Sequence, residues 1–218
     1  MGKKYDGLIF DVDGTLWDSR FKVAEAWTKV LKVRYKPDAF VTGEQLKHEF
    51  GLPLAVIGQH IMPDLPEEKM LPILKELEDT ENQKLLVDPP QPYEGLEEVL
   101  KKLQPDYPMY IVSNCQAGYI ETFLGATGLT DYFQDHLCPG DTGLFKADNI
   151  REICRRHALK KALYIGDIEK DHIAASEAGV DFCHAAYGFG EVENPTFRIS
   201  DIRELPAALA PACHSDSS

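Results

Sequence analysis

Two aspartates one residue apart, Asp11 and Asp13, close a short apolar run and are followed by Gly14 in Asp11-Val12-Asp13-Gly14-Thr15. If the strand breaks there, both carboxylates overhang one crevice, because glycine accepts backbone conformations closed to other residues. A carboxylate is a competent nucleophile toward phosphorus and forms an aspartyl phosphate. A second carboxylate in a partly desolvated position can protonate a leaving oxygen and later take a proton from water. The same residues also suit a plain turn after a strand. An EF-hand loop is the poorer competitor, since a third acidic or amide ligand before the glycine is missing and no Glu closes a twelve-residue loop.

Further along, Gly166-Asp167-Ile168-Glu169-Lys170-Asp171 brings two more carboxylates from another strand end. Together with Asp11, Asp167 and Asp171 could form an oxygen-only nest for a hard cation that keeps several waters, which suits Mg²⁺ better than zinc. Asp171 equally suits the cap of the helix that follows it. Lys146, after Gly143-Leu144-Phe145, offers a point positive charge for a phosphate, although most isolated lysines are solvated surface residues. Ser113 and Asn114 follow a third apolar run and could donate to phosphate oxygens or serve a turn.

The elements that must position these groups are legible in outline. Leu8-Ile9-Phe10, Met109-Tyr110-Ile111-Val112 and Ala162-Leu163-Tyr164-Ile165 are short, continuously apolar runs, as in strands covered on both faces of a parallel sheet. Leu96, Val99, Leu100 and Leu103 recur at helical spacing, as do Ile150, Ile153, Cys154 and His157. The stretch Asp171 to Ala178 predicts a helix stopped at Gly179. The alternation predicts an α/β doubly wound parallel-sheet (Rossmann-like) core, with ligands beyond the carboxyl ends of the strands.

From Asp18 to Asp88 the alternation breaks and the pattern turns all-helical. Phe21, Ala24, Trp27, Val30 and Leu31 form one stripe, and Leu71, Leu74, Leu77 and Leu85 belong to later helices. Pro66 is placed to open the last of them and Pro72 falls inside it, where proline removes a hydrogen bond. Asp88-Pro89-Pro90-Gln91-Pro92 reads as a stiff return linker. The expected organisation is therefore a discontinuous core of residues 1–17 and 89–218, a helical cap of residues 18–88, and a loose tail at about residues 211–218.

Composition narrows the function classes. With 36 acidic against 23 basic side chains the formal net charge is −13, so neither nucleic acid nor an anionic membrane is an expected partner. The five cysteines are odd in number and scattered, without a Cys-x-x-Cys pair, which supports neither a disulfide framework nor a zinc ribbon. The apolar stretch near Met1 closes at Asp11 and is too short for a signal peptide or a membrane span. A reducing compartment, the cytoplasm, is the expected location. Gly188-Phe189-Gly190 is too short for a dinucleotide loop, and no Gly-rich Lys-Ser/Thr loop is present.

The ordered set Asp11-Val12-Asp13-Gly14-Thr15-Leu16-Trp17-Asp18-Ser19, then Val112-Ser113-Asn114, then Lys146, then Gly166-Asp167 with Asp171, resembles the haloacid dehalogenase superfamily of phosphohydrolases. The resemblance spans residue 5 to about residue 190 and is nearest the phosphoglycolate phosphatase-like branch with a helical cap after the first motif. It implies that Asp11 is the nucleophile and a Mg²⁺ ligand. Asp13 would be the general acid/base and lend the metal its main-chain carbonyl. Thr15 and Ser113 would hold phosphate oxygens with help from Asn114, Lys146 would neutralise phosphate and nucleophile, and Asp167 and Asp171 would complete the metal site. Ala147 replaces a frequent proline, and Ile168 stands where a small hydroxylated residue is common.

The implied activity is Mg²⁺-dependent hydrolysis of a small phosphorylated metabolite, a phosphoglycolate-like acid or a sugar phosphate, through an aspartyl phosphate. A phosphomutase of the same fold is the alternative, and a catalytically silent binding relative is the alternative from another class. A haloalkanoate dehalogenase is disfavoured because it needs no acid at Asp13. Substrate recognition is expected from the cap, with Trp17, Arg20, Lys47 and His48 the first side chains to test.

Overall fold

A computed structural model describes residues 3–210, so the tail expected at residues 211–218 lies outside the described residues. Strands β1 (Gly7–Phe10), β2 (Met109–Val112), β3 (Asp135–Leu137), β4 (Ala162–Gly166), β5 (Asp181–Ala185) and β6 (Phe197–Ile199) form one six-stranded sheet in the order β3-β2-β1-β4-β5-β6. Every pairing is parallel.

Successive residues of a strand point to opposite faces, and both faces here are covered. Leu8 and Phe10 pack on one side with Ile111, Leu163, Leu96 and Leu100. Ile9 packs on the other with Tyr164, Val112, Ile150 and Ile153. That two-sided burial is why β1, β2 and β4 read as unbroken apolar runs. The strand order reverses between β1 and β4, and the crevice at such a reversal is where doubly wound folds bind ligands. Asp11 leaves β1 there, tied to β4 by its N–H donating to the Ile165 carbonyl at 2.9 Å.

Between β1 and β2 lie helices α1 (Arg20–Arg34), α2 (Gly43–Glu49), α3 (Leu54–Ile61) and α4 (Glu67–Val87), followed by α5 (Leu96–Leu103) beside the sheet. Thr42 caps α2 through its hydroxyl, which accepts from Gln45 N–H at 3.0 Å. Helix α4 continues through Pro72. The missing N–H would have bonded Glu68, one turn from the start, and Glu68 and Pro72 are both exposed, so water can serve the freed carbonyl. Of the apolar stripes, Ala24, Trp27, Val30, Leu31, Leu74, Leu77 and Leu85 are buried, whereas Phe21 and Leu71 face solvent. The chain leaves and re-enters the core side by side: Trp17 bridges Pro92, and Tyr93 N–H donates to the Leu16 carbonyl at 3.0 Å.

The second half supplies α6 (Tyr119–Thr127), α7 (Pro139–Thr142), α8 (Lys146–Arg156), α9 (Glu169–Ala178) and α10 (Leu205–Leu209). Helix α9 starts at Glu169, ahead of the expected Asp171, and stops at Gly179, whose φ of 76° is the left-handed conformation that closes a helix. No helix of the described residues is long and apolar enough to cross a membrane.

Candidate active site

The first strand ends in a loop that a side chain at position 14 would destroy. Gly14 has φ +79°, and a Cβ there would come within 2.0 Å of Asp167 Oδ2. The close approach sets the Asp11–Asp13 loop against the end of β4. Asp11, Asp167 and Asp171 each offer a carboxylate oxygen within 4.8 Å of the others, and all three are buried. Lys146, the first residue of α8, reaches in from the other side: its Nζ donates to Asp11 Oδ1 at 3.0 Å and to Asp171 Oδ1 at 2.6 Å.

Asp171 serves both purposes considered for it. One oxygen takes Lys146, while Oδ2 accepts from the N–H groups of Asp167 at 3.1 Å and Ile168 at 3.2 Å, capping α9. Asp167 Oδ2 accepts from Phe189 N–H at 2.7 Å, which orients it. Asp13 turns away from this cluster: its Oδ1 accepts from Ser19 Oγ at 2.5 Å and from the Tyr119 hydroxyl at 2.9 Å. Two neighbouring carboxyls of one loop thus occupy separate environments.

Electrostatics follow from that crowding. Burial pushes Asp11 up to about 6, with Lys146 pulling down and Asp171 pushing up. Burial pushes Asp13 up to about 7 against the hydrogen bonds from Ser19 and Tyr119. Asp167 is raised well above the carboxylate range by burial and by the charges of Asp171 and Asp11. Burial works against the Lys146 charge, but Asp11 and Asp171 hold it well above the ordinary lysine value. Three buried carboxyls sharing one ammonium leave negative charge without a partner, and an all-oxygen donor set of this kind fits a hard divalent cation.

A cavity of about 420 Å³ opens over the cluster. Asp11, Asp13, Ser113, Asn114, Lys146 and Asp167 line it. Asn114 Nδ2 also donates to the Gly51 carbonyl at 3.4 Å, a link from β2 to the helical insertion. Thr15 is fully buried, its hydroxyl has no partner among the described residues, and it is not among the residues that line the cavity. Ile168, in place of a hydroxylated residue, forms an apolar part of the wall. Cys115 lines the cavity too, but burial, with Cys138 beside it, pushes its thiol well up, which favours the unreactive protonated form.

The haloacid dehalogenase-like hydrolase family matches residues 8–185. The chain belongs to this family. Among curated relatives, a phosphoglycolate phosphatase of Photobacterium profundum is 26% identical, covering 97% of this chain and 100% of the relative. A phosphoglycolate phosphatase of Rhodobacter capsulatus is 30% identical over 84% of each. In fold, the hydrolase is similar to the crystal structure of a predicted phosphoglycolate phosphatase from Haemophilus somnus 129PT, with a TM-score of 0.86, 20% identity, and coverage of 96% and 100% of the two chains. It is also similar to a haloacid dehalogenase-like family hydrolase from Streptococcus pneumoniae, with a TM-score of 0.82, 21% identity, and coverage of 95% and 99%.

The recognition residues expected for the hydrolase do not reach the cavity. Trp17 is buried against Tyr119 and Phe123, with ring centroids 6.2 and 5.0 Å away. Arg20 folds back on Asp18 with two hydrogen bonds of 2.8 Å and lies over the Phe189 ring at 4.4 Å. Lys47 and His48 sit on α2, and neither lines the cavity. The insertion instead contributes Trp27, Leu54, Ile57, Glu78 and Glu81 to the wall. Glu81 is buried, accepts from Trp27 Nε1 at 2.5 Å, and accepts a second hydrogen bond from Gln116. In the sequence, Glu81 is one acid among many on a charged helix, and only the helical stripe of Leu74, Leu77 and Leu85 hints that its face turns inward.

Burial raises the Glu81 carboxyl to about 8, against the Gln116 and Trp27 hydrogen bonds, with Asp13 adding to the rise. In the unfolded chain it titrates near 4.5. Between these values the folded protein holds a proton that the unfolded chain has lost, so stability falls as pH rises from about 5 to 8. Glu81→Gln removes this titration, and Gln116 can rotate its amide to meet the new one. The variant should therefore gain on the wild type as pH rises, by up to a few kcal/mol near pH 8. Denaturant melts of both proteins at pH 5 and pH 8 measure the difference, and an unchanged gap between them would contradict it.

Proposed function

We propose that the protein is a Mg²⁺-dependent phosphomonoester hydrolase acting on a small phosphorylated metabolite through an aspartyl phosphate on Asp11. The observation that carries the reading is the convergence of Asp11, Asp167, Asp171 and Lys146, drawn from three distant chain segments, in one buried cluster beneath a cavity. The names of the curated relatives support the phosphatase class. The cavity of about 420 Å³ is the size for a small ester, and the helices from Arg20 to Val87 act as the cap that recognises it, in a division at residues 18 and 88.

Asp11 attacks phosphorus; a P–O bond forms to its carboxylate as the ester P–O bond breaks. Asp13, protonated near neutral pH because burial raises it to about 7, gives its proton to the leaving oxygen. It then takes a proton from water as that water attacks phosphorus, releasing inorganic phosphate and the Asp11 carboxylate. Ser19 and Tyr119 hold the Asp13 carboxyl for both transfers. Lys146 orients Asp11 and offsets the charge of the phosphoryl group, with Ser113 and Asn114 donating to its oxygens. Thr15 enters this reading through its place in the motif alone, since it is fully buried and does not line the cavity. Asp11, Asp167, Asp171 and the Asp13 carbonyl would hold Mg²⁺, which when bound supplies Lewis-acid stabilisation of charge on the phosphoryl oxygens.

Asp13→Asn tests this division of labour. An amide cannot protonate a leaving alkoxide, so turnover of alkyl phosphates should fall roughly 10²- to 10⁴-fold. An activated aryl phosphate, whose leaving group needs less help, should lose much less. Steady-state kinetics on both esters measure the contrast. Equal losses would remove Asp13 from the proton-transfer role and with it the proposed mechanism.

A further inference from the structure

Residues 187–190, the loop after β5, carry no reacting group, yet they contact the first motif, the end of β4 and the helical insertion at once. The Tyr187 hydroxyl donates to the Thr15 carbonyl at 2.8 Å, which ties the loop to the turn after Asp11 and Asp13. Gly188 lies so close to that turn that a Cβ there would come within 2.3 Å of the Asp167 Cβ and 2.4 Å of the Gly14 carbonyl oxygen. Next in the chain, Phe189 N–H donates to Asp167 Oδ2 at 2.7 Å. Among the described residues no other hydrogen bond orients this carboxylate. His184, buried in β5, fixes the far end by donating from Nε2 to the Gly190 carbonyl at 3.1 Å.

The Phe189 ring meets the insertion. Its centroid is 6.2 Å from that of Phe50, the residue that closes α2, and the Arg20 guanidinium lies over it at 4.4 Å. Arg20 is held there by Asp18 at 2.8 Å and reaches Glu44 on α2 at 3.5 Å. The turn after α2 approaches the same end of the sheet, since a Cβ on Gly51 would lie 3.1 Å from Ile168 Cδ1. One residue thus has its N–H on a carboxylate of the cluster and its ring against two side chains of the insertion. The ring and the N–H share one Cα, so contacts that fix the ring restrict the two soft backbone dihedrals that aim the N–H.

Building on the metal site proposed above, we propose that Phe189 is a positioning residue through which the insertion sets the Asp167 carboxylate for Mg²⁺. With the ring seated against Phe50 and Arg20, the N–H holds Oδ2, and the partners of a ligating carboxylate orient it and tune its affinity for metal. Without that seat, Mg²⁺ affinity falls. Gly188-Phe189-Gly190, too short for a dinucleotide loop, then serves the site through its backbone.

Titration of Mg²⁺ into the substrate-free, full-length protein, followed by calorimetry and by thermal melts, tests this without turnover. Phe189→Ala keeps the N–H but empties the seat, and Phe50→Ala removes the partner on the insertion alone. Both residues are only partly buried, and a melt in chelator checks that the variants fold. Each should weaken Mg²⁺ binding roughly tenfold or more, the scale for loss of an outer partner of a metal ligand. The double variant should lose little beyond Phe189→Ala, because the two changes interrupt one path. Ile57→Ala, a change elsewhere in the cavity wall of the insertion, should bind Mg²⁺ as the wild type does. Wild-type Mg²⁺ affinity in either single variant, or an equal weakening in Ile57→Ala, would overturn the link and leave the hydrolase reading intact. A wild-type protein that binds no Mg²⁺ would overturn the metal site and this inference together.

Discussion

Asp11→Asn should fold as the wild type does and lose turnover by several orders of magnitude. The amide keeps the size of the side chain but cannot form an acyl phosphate, and removing a covalent nucleophile leaves only the residual rate that binding and electrostatics supply. The fold should tolerate the change because Lys146 keeps its 2.6 Å partner Asp171, and because one of three mutually repelling buried carboxyls disappears. A thermal melt beside steady-state kinetics on an aryl phosphate separates the two effects. A folded variant that retains more than about one per cent of wild-type turnover would show that Asp11 is not the nucleophile.

Stripping divalent metal should abolish activity, and Mg²⁺ should restore it and stabilise the fold together. Asp11, Asp167 and Asp171 lie within 4.8 Å of one another with one ammonium between them, so the cluster without a cation repels itself and an incoming phosphate alike. A ligand at about a hundred times its Kd adds about 2.7 kcal/mol to stability. For a chain of this length that corresponds to a rise in Tm of roughly 5–10 °C. Because protons compete for carboxyls that burial has raised, to about 6 for Asp11 and well above the ordinary aspartate value for Asp167, the Mg²⁺-induced shift should shrink as pH falls below about 6. Full activity after exhaustive chelation, or a melt indifferent to Mg²⁺ at neutral pH, would refute the metal site.

Much of this protein was determined locally, and local determination is readable. The strands β1, β2 and β4 had to be continuously apolar because both of their faces are buried, so three short runs marked the sheet's centre. The polar residues that follow them, Asp11, Ser113 and Asp167, sit at the strand ends because the chain leaves the sheet there, which places them around one crevice. Strands β3 and β6, three residues each with half-exposed positions, carry too little pattern to be seen.

What only the tertiary structure decided is the chemistry beyond the phosphoryl centre. Trp17 and Arg20 adjoin the first motif and looked available. Packing turned the indole into the core against Phe123, and a local ion pair folded the guanidinium onto Asp18. Among the groups that line the cavity from the insertion, Trp27, Glu78 and Glu81 lie on α1 and α4. Their inward direction depends on how those helices settle on each other and on α6. Helical periodicity marks which face of α4 is apolar, but an acid at the edge of that face is equally suited to solvent or to a cavity. The choice for Glu81 is made by donors from other elements, Trp27 and Gln116, which no spacing along the chain announces.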